Sequence, residues 1–148
     1  MPVLVGALAP RMVEVSGELT DGVVTWLAGP RTLEAVIVPR LHAAAAGRAA
    51  PRVVAALPVA VCDEAEGRAV AEQVFARYGT LPNYQRVFAR EGVASVGELA
   101  VIGDDEAVRA QLARLADVGV TELWATVFDV DGDTSRTRAL LAELAKAS

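Results

Sequence analysis

The chain has 148 residues, 53% of them hydrophobic, with a net charge of −5 and a single cysteine. That is enough apolar material for one core-bearing domain, residues 1–148, and too much for a disordered segment. The acidic balance, without any local Lys/Arg cluster, excludes the footprint of a nucleic-acid-binding surface, and Cys62 alone permits neither an intrachain disulfide nor a cysteine metal cluster.

Residues 1–10 are apolar but too short for an export signal, and they lack its basic start and small-residue cleavage pattern. No uninterrupted apolar stretch is long enough to span a bilayer. A cytoplasmic location is therefore expected. Val3-Leu4-Val5-Gly6-Ala7-Leu8 is the first of four continuous apolar runs, and Met12, Val15 and Leu19 follow it at helical spacing. The second run is Gly22-Val23-Val24-Thr25-Trp26-Leu27. After it, Leu33, Ile37 and Leu41 stand four apart on one helix face, which the alanines at 43–46 extend. The third run covers residues 53–61. The stretch 65–97 breaks the rhythm and reads as an insertion of two short helices around Gly79-Thr80-Leu81-Pro82.

Val108, Leu112 and Leu115 then mark a helix with clear ends. Asp104, Asp105 and Glu106 meet the free N–H groups at its start, and Gly119 supplies a left-handed residue at its close. The fourth run is Leu123-Trp124-Ala125-Thr126-Val127-Phe128. Arg138, Leu141 and Leu144 begin the last helix, with Lys146 near its end.

Short runs that are apolar throughout, rather than alternating, are the pattern of strands buried on both faces. Their strict alternation with helices predicts parallel strands joined by right-handed crossovers. Four such β/α units are half of a closed barrel, which takes about 250 residues. Half a barrel leaves two unpaired strand edges and an open inner face, so a partner is expected, a second copy among the candidates.

Three segments carry a family resemblance. They are residues 3–12 with Gly17-Glu18-Leu19-Thr20-Asp21-Gly22-Val23-Val24, then Ile102-Gly103-Asp104-Asp105-Glu106-Ala107-Val108 with Leu112, Leu115 and Gly119-Val120, and finally residues 123–128. In this order they resemble strand five through strand eight of luciferase-like monooxygenases, especially the branch that uses the deazaflavin coenzyme F420. The resemblance implies a parallel (β/α)4 half of a TIM-type (β/α)8 barrel, with the helical insertion before the last β/α unit. It also implies hydride transfer or monooxygenation with bound coenzyme F420 or, alternatively, FMN. Nothing in the chain resembles the first four strands, so the partner it implies is a homo-oligomer or a separate N-terminal half-barrel chain. A different reading of the same residues is a self-associating half-barrel assembly module without catalysis, consistent with the lack of any acid/base constellation.

The leading site candidate is the loop Gly6, Ala7, Leu8, Ala9 and Pro10 with Arg11 beside it. Small residues admit a ligand to the backbone, and a helix start offers N–H groups to a phosphate. By resemblance this loop would touch the coenzyme's phosphate-bearing tail. The plainer reading is a βα turn with Pro10 at its favoured first helical position. Gly29 and Arg31 repeat the arrangement after the second strand, either at a substrate rim or as a solvated helix start. Trp26 and Phe128 fall at strand ends, where barrel enzymes place pocket residues, although core packing accounts for either. Tyr84 and Phe88, four apart, pin the inserted helix. His42 reads as an exposed helix residue and Cys62 as a small buried thiol. Asp129-Val130-Asp131-Gly132-Asp133 lacks the Gly and Glu spacing of a calcium loop and reads as a cap for the last helix. No catalytic residue and no metal ligand is assigned.

Overall fold

In the computed structural model, which describes residues 1–147, the four apolar runs become parallel strands. They are β1 (Leu4–Gly6), β2 (Gly22–Trp26), β3 (Arg52–Val61) and, after one further short strand β4 (Val101–Gly103), β5 (Glu122–Val127). β1 pairs with β2 and β2 with β3; β3 also pairs with both β4 and β5, every pair being parallel. The expected half-barrel order is therefore present, with β4 added to it.

Backbone parity along β3 shows how one strand serves three neighbours. Ala56 O accepts from Leu27 N–H and Cys62 N–H donates to Gly103 O, so even-numbered residues face β2 and then β4. Val53 O accepts from Thr121 N–H and Val59 O from Phe128 N–H, so odd-numbered residues face β5. Pro58 is even and lies between the end of β2 pairing at Ala56 and the start of β4 pairing at Val59. Its missing N–H falls in that gap, which is why a proline is tolerated in the middle of a central strand.

Side chains follow the same alternation. Val53, Ala55, Leu57, Val59 and Val61 join Leu33, Ile37, Leu41, Val108, Leu115 and Leu140 in the core between sheet and helices. The opposite, concave face carries Val24, Val54 and Glu122 in one row and Trp26, Ala56 and Trp124 in the next. Trp124 is 58% exposed there.

The helices are α1 (Pro10–Leu19), α2 (Pro30–Thr32), a π-helical turn Leu33–Ile37, α3 (Val38–Ala44), α4 (Glu64–Val74), α5 (Ala76–Gly79), α6 (Pro82–Glu91), α7 (Val96–Leu99), α8 (Asp105–Asp117) and α9 (Ser135–Lys146). From Pro30 to Ala44 the helix is continuous. Val38 N–H donates to Leu33 O across the wider turn, and Pro39, which has no N–H to give, follows at once. Leu33, Ile37 and Leu41 are all buried. Asp104 caps α8 by accepting from Ala107 N–H at 2.8 Å, and Gly119 beyond its end has φ 101°.

α1 departs from its sequence pattern. Its buried residues are Val13, Ser16 and Gly17, while Met12 and Leu19 are 44% and 72% exposed. The cause is close helix packing. A Cβ on Gly17 would lie 2.5 Å from Leu41 O and 2.8 Å from Ala44 Cβ, so the small-residue face turns to α3 and the apolar stripe turns outward. Ion pairs bridge neighbouring helices around the outside: Arg40 to Glu14, Arg114 to Glu34, and Arg109 to Glu143. No helix among the described residues is long and apolar enough to cross a membrane.

Candidate functional site

The strand ends open toward one rim, and a cavity of about 420 Å³ lies there. Gly6, Ala7, Leu8 and Ala9 from the first βα loop line it with Met12, Val24 and Trp26, and Asn83 and Tyr84 of α6 close the far wall. That volume lies in the range of small-molecule sites. A Cβ built on Gly6 would meet nothing within 4 Å, so the loop borders open space.

Electrostatics separate the helix starts on this rim. Asp63 caps α4, accepting from Ala65 and Glu66 N–H at 2.9 and 3.0 Å. At the start of α2 the carboxylate of Glu91 accepts from Thr32 N–H at 2.6 Å and Arg31 N–H at 3.2 Å. α1 begins at Ala9 with no side-chain cap and no acidic residue in its first turn. Its N-terminal N–H groups and positive dipole end are therefore left for something else.

A second pocket of about 70 Å³ adjoins this start, lined by Leu8, Ala9, Pro10, Asn83, Arg86, Val87 and Arg90. Arg86 and Arg90, one turn apart on α6, bring positive charge to the same place. Sequence reading missed both. Their signal was the i, i+4 spacing beside Pro82, but nothing in the sequence told that α6 would lie against residues 8–10. Arg11 is exposed and pairs with Glu14 at 3.3 Å and Glu18 at 3.7 Å.

The aromatic residues form a chain of edge-to-face contacts. Trp26 meets Phe75 and Tyr78 at 5.8 and 5.6 Å, Phe75 meets Phe128 at 5.8 Å, and Tyr78 meets Tyr84 at 5.1 Å. Trp26 lines the cavity. Phe128 is buried in the second core cluster beneath the inserted helices and lines no described cavity. Burial, and then the neighbouring Tyr78, push the Tyr84 phenol above its usual value. Trp26 Nε1 is buried without a hydrogen-bond partner.

Gly29 and Arg31 lie apart from this cavity. Both meet Glu91, and Gly29 lines a different cavity of about 350 Å³ between β3 and α8. His42 is exposed on α3. Cys62 is half-buried, and burial, followed by Asp131, Asp63 and Glu66, pushes its thiol upward and away from the reactive thiolate. The aspartates of residues 129–133 serve local turns. Asp129 accepts from Gly132 N–H at 2.6 Å and Asp133 from Ser135 N–H at 2.8 Å, next to the N-cap Thr134 of α9. Among the described residues no three His, Cys, Asp or Glu side chains converge as metal ligands.

The sequence profile of luciferase-like monooxygenases matches residues 1–122. The chain belongs to the luciferase-like monooxygenase family. Among curated proteins none matches it. Solved structures of family type share its fold. The coenzyme F420-dependent tetrahydromethanopterin reductase of Methanopyrus kandleri is 21% identical with a TM-score of 0.77, over 97% of this chain and 49% of that one. An F420-dependent secondary alcohol dehydrogenase, solved with an F420–acetone adduct, is 18% identical with a TM-score of 0.68, over 95% and 48%. The oxygenating constituent of 3,6-diketocamphane monooxygenase from Pseudomonas putida, solved with FMN, is 15% identical with a TM-score of 0.67, over 97% and 46%. The chain thus spans about half the length of each of these luciferase-like TIM-barrel enzymes.

Proposed function

We propose that this luciferase-like chain is a cytoplasmic oxidoreductase module that binds coenzyme F420, or alternatively FMN, at the rim formed by the first βα loop. The observation that carries this reading is the 420 Å³ cavity, which joins Gly6, Ala7, Leu8 and Ala9 at an uncapped helix start to Trp26 and Tyr84. The coenzyme supplies the hydride or oxygen chemistry when bound. The chain's own residues hold and orient it. The first-turn N–H groups of α1, with Arg11, Arg86 and Arg90, hold the phosphate-bearing tail. Gly6 and Ala7 let the backbone come close, and Trp26 and Tyr84 form apolar walls that exclude water. Phe128 supports Trp26 through Phe75, and Gly29 and Arg31 shape the substrate side through Glu91. No residue here is assigned proton transfer.

Completion of the barrel requires four further parallel strands, supplied by a second copy or by a separate N-terminal half-barrel chain. Support comes from the unpaired outer edges of β1 and β5, the exposed Trp124 on the concave face, and the exposed Leu19 of α1. Fluorescence titration of the assembled protein with F420 and with FMN tests the reading. Saturable binding of one of them is expected. Absence of binding to both, in a sample folded by circular dichroism, overturns it.

A further inference from the structure

α6 reaches two places at once. It presents Asn83 and Tyr84, near its start, to the 420 Å³ cavity, and Arg86 and Arg90, further along, to the small pocket beside Pro10. Its last residue, Glu91, is a carboxylate only 8% exposed. A charge is expensive to bury unless hydrogen bonds satisfy it. Here Thr32 N–H donates to Oε1, Arg31 N–H donates to Oε2, and Arg31 Nη1 returns a bond of 3.0 Å to the Glu91 carbonyl. The space is shaped to this contact. A Cβ on Gly29 would lie 2.6 Å from Oε2, and one on Gly92, where φ is 73° as α6 ends, would lie 2.9 Å from Arg31 Nη1.

Tyr84, Val87, Phe88 and Glu91 share one face of α6 at i, i+3, i+4 and i+7. Val87 and Phe88 press that face into the second core cluster. Apolar contact turns that face toward the core, but being non-directional it holds the exact rotation and axial position of the helix less sharply. Directional hydrogen bonds to a charged group do. A helix of ten residues, about 15 Å long, carries that constraint from Glu91 to Tyr84.

We propose that Glu91 is a positioning residue for the ligand cavity. It clamps the end of α6 to the start of α2 and so sets where Tyr84, Arg86 and Arg90 stand against the loop of residues 6–10. The proposal rests on that cavity being the coenzyme site, and its test has one arm that does not.

The first arm measures hydrogen–deuterium exchange of the α6 amides in wild type, Glu91→Ala and Gly29→Ala. The second variant keeps the charge but removes the room for it. Glu91→Gln, which leaves one acceptor for Thr32 and turns an amide N–H against Arg31, is the mild form should the others fold poorly. Exchange about tenfold faster in α6, with β3 unchanged, is expected. The second arm titrates FMN and F420 with and without acetate. Acetate can refill the N–H site in Glu91→Ala and raise its melting temperature, but it is not attached to α6. Affinity is therefore expected to stay about tenfold weaker. Unchanged α6 exchange in the variants overturns the proposal, as does recovery of affinity together with stability on adding acetate. If wild type binds neither coenzyme, the coenzyme reading fails, and the exchange arm alone decides on the clamp.

Discussion

Gly6→Leu separates the site from the fold. Gly6 ends β1 with ordinary strand backbone, and a Cβ there meets no atom within 4 Å. The backbone accepts a Cβ there, so the substitution restricts the unfolded chain as Gly→Ala does at a compatible position and adds about 0.4–1 kcal/mol of stability. With a urea slope of about 2 kcal/mol/M, the unfolding midpoint rises by about 0.2–0.5 M. The new side chain projects into the cavity shared by Ala7, Leu8, Ala9 and Trp26 and blocks close approach of a ligand to the backbone. A loss of two hydrogen bonds from the helix start, at about 1–1.5 kcal/mol each, weakens coenzyme binding by about 30- to 150-fold. Urea denaturation followed by circular dichroism reads the first effect, and FMN and F420 titration reads the second. A variant that is as stable as predicted yet binds with wild-type affinity refutes the placement of the ligand. A variant that loses stability refutes the claim that the space beside Gly6 is free.

Three other outcomes follow from surface and core. Glu14 is held below the usual carboxylate range by Arg11 and Arg40, Asp105 by Arg136, and Glu122 by Arg52. Carboxyls depressed on folding contribute stability above their unfolded pKa and lose it as pH falls through the folded one. Denaturation midpoints are thus expected to be flat from pH 7 to about 5 and to decline below about pH 4, with a shallower decline in Glu122→Gln; an equal decline in that variant contradicts the assignment. Cys62, pushed upward by burial, is expected to react with iodoacetamide at pH 7.5 several-fold more slowly than free cysteine, and a reaction as fast as the free thiol's contradicts it. Leu19→Lys leaves the folded chain within about 0.5 kcal/mol of wild type but is expected to weaken association with the proposed completing half barrel, read by sedimentation; association at wild-type strength places the partner elsewhere.

The strands were legible because parallel strands write continuous apolar runs, and four runs became β1, β2, β3 and β5; β3 is buried on both faces, whereas β1 and β5 keep an open inner face on which Trp124 is exposed. Helix ends were legible where chemistry is local: Asp104 and Gly119 sit where a cap and a left-handed residue are needed. What escaped was set by tertiary contact. Ile102 and Gly103 belonged to a segment resembling a helix, and with Val101, which carried no reading, they became β4, because the last residues of β3 extend beyond β2 and offer a free edge. Met12, Val15 and Leu19 marked α1 correctly as a helix but not its buried face, because Gly17 allows α3 to approach from the other side. At the rim, Gly6 to Ala9 and Trp26, singled out as small residues and an aromatic at strand ends, line one cavity. Arg86, Arg90 and Glu91 were not, since their meaning depends on where α6 docks.

The proposed coenzyme sits at the start of α1. Amide chemical-shift mapping of the 15.4 kDa chain during FMN or F420 titration locates it residue by residue. Saturable shifts are expected at the amides of residues 7–9, 11 and 12, at Arg86 and Arg90, and at Trp26 Nε1–H. Shifts confined to the opposite end of the sheet around Asp21, Arg52 and Glu122, or none at saturating coenzyme, would contradict it.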